Sequence, residues 1–372
     1  MVGWGMYAPE RVLTNDDLAR MVDTTDEWIR SRTGIGERHI AADGEATSHM
    51  AVQAARAALQ VADVNPRSID LIIVATVTPD YLMPSTACLV QNALNAVRAG
   101  AFDLNAGCSG FVYALVMGQQ AIASGECNLV LVIGADALSR VVDWNDRATC
   151  VLFGDGAGAV VLRASEGPNG VLATELGADG SGGEVLMIPA GGSARPASHE
   201  TVDQRLHYLR MDGRQVFRFA TQVVPQSVTA VLKKAHVAVR DVAMIIPHQA
   251  NARIIEAVAK RLGLPAERFY LNLDRYGNTS AASVPIALCE AIAAQRISPG
   301  QHIVLGGFGS GLTWAAALVR WGVSPERPKA PALHTWRRWL LYRWAGGRTW
   351  LQRARRAVLV WLIRITERRV RR

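Results

Sequence analysis

The chain has 372 residues, half of them apolar, which is enough for two domain-sized layers around substantial cores. Its five cysteines, at 88, 108, 127, 150 and 289, form no CxxC pair, which points to a reducing compartment and away from structural zinc. The net charge of +8 averages two unlike parts: residues 329–372 carry 13 Lys+Arg and one acid, or +12, while the rest carries 27 and 31, or −4, so the body offers no electrostatic case for nucleic acid.

The N-terminus lacks a basic region followed by an apolar core, and no apolar run approaches the roughly 18 residues of a membrane span. The expected location is cytoplasmic. Val2–Tyr7 begins at a glycine-rich turn, and Thr14–Asn15–Asp16 can cap a helix to about Val22. Asp26–Arg38, DEWIRSRTGIGER, mixes Trp28 with several arginines. It is either a solvated loop or a cradle for an anionic, aromatic-bearing ligand, since Trp and Arg planes stack on a purine and Arg pairs with phosphate.

From Thr47 the pattern alternates regularly. Residues 47–62 read as an amphipathic helix, 70–76 as a buried strand, 85–97 as a helix and 101–105 as a strand. A nearly uncharged helix follows over 109–124, then a buried strand over 129–135 and another after the glycine turn of FGDGAGAVVL (153–162). The second half predicts helix 214–235, strand 242–247, helix 250–262, strand 269–273, helix 279–295, strand 302–306 and a closing strand 313–321. Strand starts at 70, 101 and 129 recur at 241, 269 and 302, shifts of 171, 168 and 173, so the chain reads as two similar α/β halves with parallel sheets. Residues 177–212, rich in Gly, Ala, Ser and Pro, read as a connecting excursion. GDGAGA (154–159) and GGFGSG (306–311) do not fit G-x-G-x-x-G and precede strands, so a nucleotide fold fails its context test. They read as turns, plain or placed where backbone comes close to something.

Cys108 lies in DLNAGCSGFVYAL, where a strand turns into the first turn of a buried helix. Free N–H groups and partial positive charge there favour a thiolate; a buried structural cysteine is the alternative. IIPHQANAR puts His248, and YGNTSAASVP puts Asn278, at strand ends of the second half, where parallel sheets bind ligands. Related halves would bring the three together. A thiolate can then attack a thioester, while an imidazole and a carboxamide donate to a developing enolate oxygen.

These stretches, with TNDDLARMVDTTDEWIRSRTGIGERHI and FGDGAGAVVL, resemble the β-ketoacyl-acyl-carrier-protein synthase III family over about residues 3–322. The resemblance implies a thiolase-like fold: two pseudo-symmetric βαβαβαββ halves, 1–165 and 166–325, in an α/β/α/β/α arrangement, with 326–372 as a basic Trp-rich tail. It implies a homodimeric acyltransferase with a Cys108–His248–Asn278 triad. Such an enzyme condenses an acyl-CoA with malonyl-acyl carrier protein to start fatty-acid or polyketide synthesis. No cofactor or metal is implied, since the CoA thioester is a substrate. Trp28 and Arg147 would flank the adenine of CoA and Arg32 its phosphates. Phe308 would lie beside the triad, with backbone N–H groups of Cys108 and of the Phe308–Gly309 turn on the oxyanion. Met83 would reach the partner subunit's acyl pocket, and Arg253, Lys260 and Arg261 would dock the carrier protein. The alternatives keep the acyl-cysteine but use another acceptor, or keep the fold as a noncatalytic partner.

The pattern departs from the family in two places besides Met83. A strand expected ahead of Gly3–Tyr7 is nearly absent, which reads as a misassigned start or a sheet short of a strand. The tail has no counterpart. Within it, Leu351, Ala354, Val358, Trp361, Leu362 and Ile365 share one helical face, with Arg353, Arg356, Arg364 and Arg368 largely opposite. That suits an interfacial helix on anionic lipid, or a basic tail, or a helix covering an apolar patch of the body.

Overall fold

The computed structural model describes residues 1–322 and, beyond them, Tyr342, Trp344, Leu351 and Arg355. The N-terminal half runs β1 (Gly3–Tyr7), α1 (Thr47–Ala62), β2 (Leu71–Ala75), α2 (Thr86–Leu94), β3 (Gly100–Leu104), α3 (Gly110–Ala123), β4 (Leu129–Ala137) and β5 (Asp155–Arg163). The C-terminal half runs β6 (Gly170–Ala178), α4 (Gly213–Lys234), β7 (Val242–Pro247), α5 (Ala252–Leu262), α6 (Ser283–Ala293), β8 (His302–Gly309) and β9 (Thr313–Arg320). We propose the division between the halves near residue 165, in the link from β5 to β6.

The first sheet has the order β1-β5-β4-β2-β3, with β4, β2 and β3 parallel and β5 antiparallel to both its neighbours, β4 and β1. The second repeats it as β6-β9-β8-β7. Helices α3 and α6 each pack on both sheets, α1 and α2 cover the outer face of the first, and α4 with α5 the outer face of the second. The layering is therefore α/β/α/β/α, as expected for a thiolase-like fold. The central helices carry little charge because both of their sides are buried: Phe111, Val112, Leu115, Ile286, Leu288 and Ile292 are almost wholly enclosed. Burying side chains of that size contributes about 1.5–3 kcal/mol each.

Several expected elements shift. Residues 3–7 do not open on a turn before an incomplete sheet. They are an edge strand paired antiparallel from Gly3↔Val161 to Tyr7↔Ala157, so the first sheet has its five strands. The first helix is shorter than expected, Asn15–Ala19 behind a Thr14 capping box. Residues 26–33 form a helix capped by Thr25 rather than a loop. The strand expected at 269–273 is reduced to one bridge, Phe269↔Ile245. The Gln249 side chain takes over from there: its Nε2 donates to Tyr270 O at 3.0 Å and its Oε1 accepts from Asn272 N at 3.1 Å. A side chain thus replaces the neighbouring strand, and the backbone is free to turn into the short helix Leu273–Tyr276.

Candidate active site

Cys108 sits in the 3-10 turn Gly107–Ser109 that ends in α3, and it is 7 % exposed. His248 follows β7 and is 1 % exposed; Asn278 follows Gly277, whose φ of +62° makes the corner, and is 6 % exposed. All three line one cavity of about 210 Å³, together with Phe308 and Gly309. The two halves therefore bring the three polar side chains to one place.

Their surroundings fix how each points. Asn278 Oδ1 accepts from Ser280 N at 2.8 Å, which leaves the amide nitrogen for the cavity. The His248 ring packs edge-on against Phe308, with centroids 5.1 Å apart, and its Nδ1 meets Ser283 Oγ at 2.6 Å. Burial lowers the imidazole pKa to about 3, so the ring is neutral at physiological pH. The Cys108 thiol is pushed well above its ordinary value by burial and, to a smaller extent, by Asp136; the Ser280 hydroxyl and a backbone N–H oppose this. The expected preference for thiolate at the helix start thus meets a larger opposing effect, desolvation.

The glycine turns come close to something. A Cβ built on Gly309 would fall 2.5 Å from Cys108 N, and one on Gly307 2.8 Å from Ser109 Cα. β8 can lie against the cysteine turn only because those atoms are missing. Phe308 and Gly309 are not in a turn: both are paired strand residues, opposite Trp314 and Thr313. In the first half, a Cβ on Gly134 would fall 2.2 Å from Ala281 O, so β4 presses on the turn after Asn278.

Cys108 also borders a second cavity of about 300 Å³, lined by Val77, Leu138, Phe153, Leu186, Ile188 and Leu209 among others. Three of these come from the excursion 177–212. Sequence reasoning gave that stretch no function, because its contribution is a few apolar residues without periodicity.

Arg32 and Arg147 both lie over the Trp28 ring, their guanidinium carbons 4.9 and 4.8 Å from its centre. The group lies at the first cavity's edge: Asn251 Nδ2 donates to Arg32 O at 3.1 Å, and Asn251 and Ala148 line the cavity. Met83, in the loop before α2, is 85 % exposed and lines neither cavity of its own chain. Arg253 and Lys260 are exposed on α5, seven residues apart and so on one face, whereas Arg261 turns to donate to Thr221 O at 3.1 Å. Among the described residues, no group of three or more His, Cys, Asp or Glu could hold a metal, and no helix is long and apolar enough to cross a membrane.

A residue the sequence reading missed is Asp136, at the end of β4 and fully buried. Its Oδ1 accepts from Thr76 Oγ1, Val77 N and Thr78 Oγ1 at 2.8–2.9 Å, and from Thr78 N at 3.2 Å. Its Oδ2 accepts from Ala281 N at 3.1 Å. One carboxylate therefore ties the first half's strand ends to the second half's turn Asn278–Ala282. The only signal in the sequence was an acid inside an otherwise apolar strand.

Known proteins are similar to this chain in sequence and fold. Two family models, 3-oxoacyl-[acyl-carrier-protein] synthase III and its C-terminal part, match residues 102–180 and 232–321. A β-ketoacyl-[acyl-carrier-protein] synthase III of Symbiobacterium thermophilum is 56 % identical over 322 residues, 87 % of this chain and 98 % of that protein. The chain belongs to the β-ketoacyl-acyl-carrier-protein synthase III family. A second member, from Caldanaerobacter subterraneus, is 53 % identical over 86 % of this chain and 97 % of its own. The crystal structure of the 3-oxoacyl-[acyl-carrier-protein] synthase III of Aquifex aeolicus, 49 % identical, superposes with a TM-score of 0.80 over 86 % of this chain and 99 % of that one.

Proposed function

We propose that Cys108, His248 and Asn278 divide a decarboxylative Claisen condensation between the two halves. The observation that carries this is one cavity lined by a thiol, a neutral imidazole and an outward-facing carboxamide nitrogen. An acyl-CoA gives its acyl group to Cys108 Sγ: the new S–C bond forms, the bond to the CoA sulfur breaks, and CoA leaves with the thiol proton. Malonyl-acyl carrier protein then loses carbon dioxide. The enolate attacks the acyl carbonyl, the C–S bond breaks, Cys108 leaves as a thiolate and regains a proton from water, and a 3-ketoacyl-carrier protein initiates fatty-acid synthesis.

His248 and Asn278 donate to the enolate oxygen. The Gln249 N–H points at Ser283 Oγ at 3.4 Å, which lets the Ser283 hydroxyl proton go to Nδ1 and keeps the imidazole proton on Nε2, facing the cavity. The N–H groups of Cys108 and Gly309 hold the oxyanion. The apolar cavity takes the acyl chain, and the Trp28–Arg32–Arg147 stack takes the CoA nucleotide. Arg253 and Lys260 meet the acidic carrier protein.

The enzyme works as a homodimer in which the exposed loop around Met83 enters the partner's acyl cavity, and the tail rests on anionic lipid. Tyr342 packs on the body, with the Arg56 guanidinium 4.6 Å from its ring centre, whereas Trp344 and Leu351, 71 % and 60 % exposed, leave apolar surface that supports the lipid contact. Deleting residues 329–372 is expected to abolish co-sedimentation with anionic vesicles while condensation continues; unchanged vesicle binding overturns the lipid contact. For the reaction itself, intact-mass analysis after exposure to a panel of acyl-CoA thioesters is expected to show one acyl adduct, absent in Cys108→Ala. Adding malonyl-carrier protein should release carbon dioxide and a 3-ketoacyl product. An undiminished adduct in Cys108→Ala refutes the assignment.

A further inference from the structure

The cysteine turn has a counterpart in the other half. Asn105–Ser109 (N-A-G-C-S) precedes α3, and Asn278–Ala282 (N-T-S-A-A) precedes α6. In each, the asparagine Oδ1 accepts from the backbone N–H two residues on, at 3.3 Å from Gly107 and 2.8 Å from Ser280. In each, that second residue is left-handed, with φ of +58° at Gly107 and +51° at Ser280. Glycine adopts this backbone freely, whereas a serine there is strained. Held strain of this sort is worth asking about where chemistry happens.

The strained backbone aims a hydroxyl. Ser280 is fully buried, and its Oγ lies 3.4 Å from Cys108 Sγ. Its position is pinned on both sides, by Asn278 Oδ1 at its own N–H and by Asp136 Oδ2 at the N–H of Ala281. The titratable groups facing the sulfur are His248, neutral, and Asp136. Asp136 draws on the same hydroxyl, but it is already served by Thr76, Val77, Thr78 and Ala281. The Asp136 carboxylate competes for the Ser280 proton, but the hydrogen bond that the Ser280 hydroxyl makes is the one to the sulfur, at 3.4 Å.

We propose that Ser280 is a further catalytic residue, whose hydroxyl donates to Cys108 Sγ and stabilises the thiolate. Ser280 keeps its proton throughout, and the thiol proton leaves with CoA as described above. The proposal rests on Cys108 being the nucleophile, and its test needs no acyl chemistry. Cys108 alkylation by iodoacetamide is followed by intact mass from pH 6 to 10.5 in the wild type, Ser280→Ala and Ser280→Gly. Glycine suits the left-handed backbone, so Ser280→Gly removes the hydroxyl without adding strain.

Both variants are expected to displace the rate profile by about one unit toward alkaline pH, a tenfold loss of thiolate at neutral pH. The observed rate at pH 7 should fall by only about three- to fourfold, because the more basic thiolate is the better nucleophile. A profile that stays in place in both variants overturns the proposal, as does a displacement in Ser280→Ala alone, which would implicate the backbone instead. If no acyl-CoA labels the wild type while the displacement is present, the condensation fails and the role of Ser280 stands.

Discussion

In the first half, the turn Asn105–Ser109 leads from a full strand, β3, into α3 and carries the sulfur. In the second, the turn Asn278–Ala282 follows a strand shrunk to a single bridge at Phe269 and carries no nucleophile: Ala281 stands where Cys108 would be. The same scaffold position thus carries the proposed nucleophile in one half and only hydrogen-bonding groups in the other. Gln249 holds Asn272 in place of a neighbouring strand, and the chain behind it then brings Ser280 against the sulfur. A repeated fold supplies two strand ends facing each other, and divergence at those ends supplies the chemistry.

The largest expected effects separate the two halves. His248→Ala should form the acyl-Cys108 adduct within about threefold of the wild-type rate, yet lose condensation by about 10²–10³-fold, the usual cost of a missing oxyanion donor. Asn278→Ala should impair both steps, because it removes the cavity-facing amide and also the Oδ1 that holds Ser280 N. Single-turnover mass spectrometry for the adduct and carbon-dioxide release for the second step distinguish them. Equal loss of both steps in His248→Ala would erase the proposed division of labour.

Burial of the imidazole has a consequence for stability. His248 has a folded pKa of about 3 against 6.5 when unfolded. Below pH 6.5 the unfolded chain binds a proton that the folded chain refuses, so stability is complete above about 6.5 and falls on acidification. The slope from this one group approaches about 1.4 kcal/mol per pH unit between roughly pH 6 and 4. Asp136 and Asp155, whose pKa values are raised by burial, act with the opposite sign. The informative quantity is therefore the difference between the wild type and His248→Gln in urea midpoints across pH 7 to 4.5. The variant should lose less stability over that range; parallel curves would show that the imidazole is not held neutral.

Much of this was legible in the chain. Alternating apolar runs and helical periodicity place the central strands and the layer helices of both halves, because strands covered on both faces are continuously apolar, whereas the edge strands β1, which reads as a turn, and β6, which has no such run, escape that signal. Cys108, His248 and Asn278 were legible as polar residues at strand ends. What was not legible depends on distant partners. The strand expected at 269–273 satisfies every local rule and fails because a glutamine side chain twenty residues earlier takes its hydrogen bonds. Asp136 reads as an acid in a strand until its donors converge on it. Ser280 reads as one serine among several until its φ and the sulfur beside it are known.

The smallest expected effect tests the two turns against each other directly. Each needs a left-handed residue at the same place, but only the first uses glycine. Ser280→Gly should therefore be more stable than Ser280→Ala by roughly 1 kcal/mol, since both lack the hydroxyl and only alanine bears the left-handed strain. The reverse exchange should not be tolerated. A Cβ at Gly107 would fall 2.8 Å from Ser310 N and 3.0 Å from Ser310 O, backbone atoms that cannot rotate away. Gly107→Ala should cost about 1–3 kcal/mol in urea unfolding, from overpacking added to strain. Equal stabilities for Ser280→Ala and Ser280→Gly would mean that the turn relaxes around its occupant. The hydroxyl's aim at the sulfur would then owe nothing to the left-handed backbone, and the likeness of the two turns would be one of sequence spacing alone.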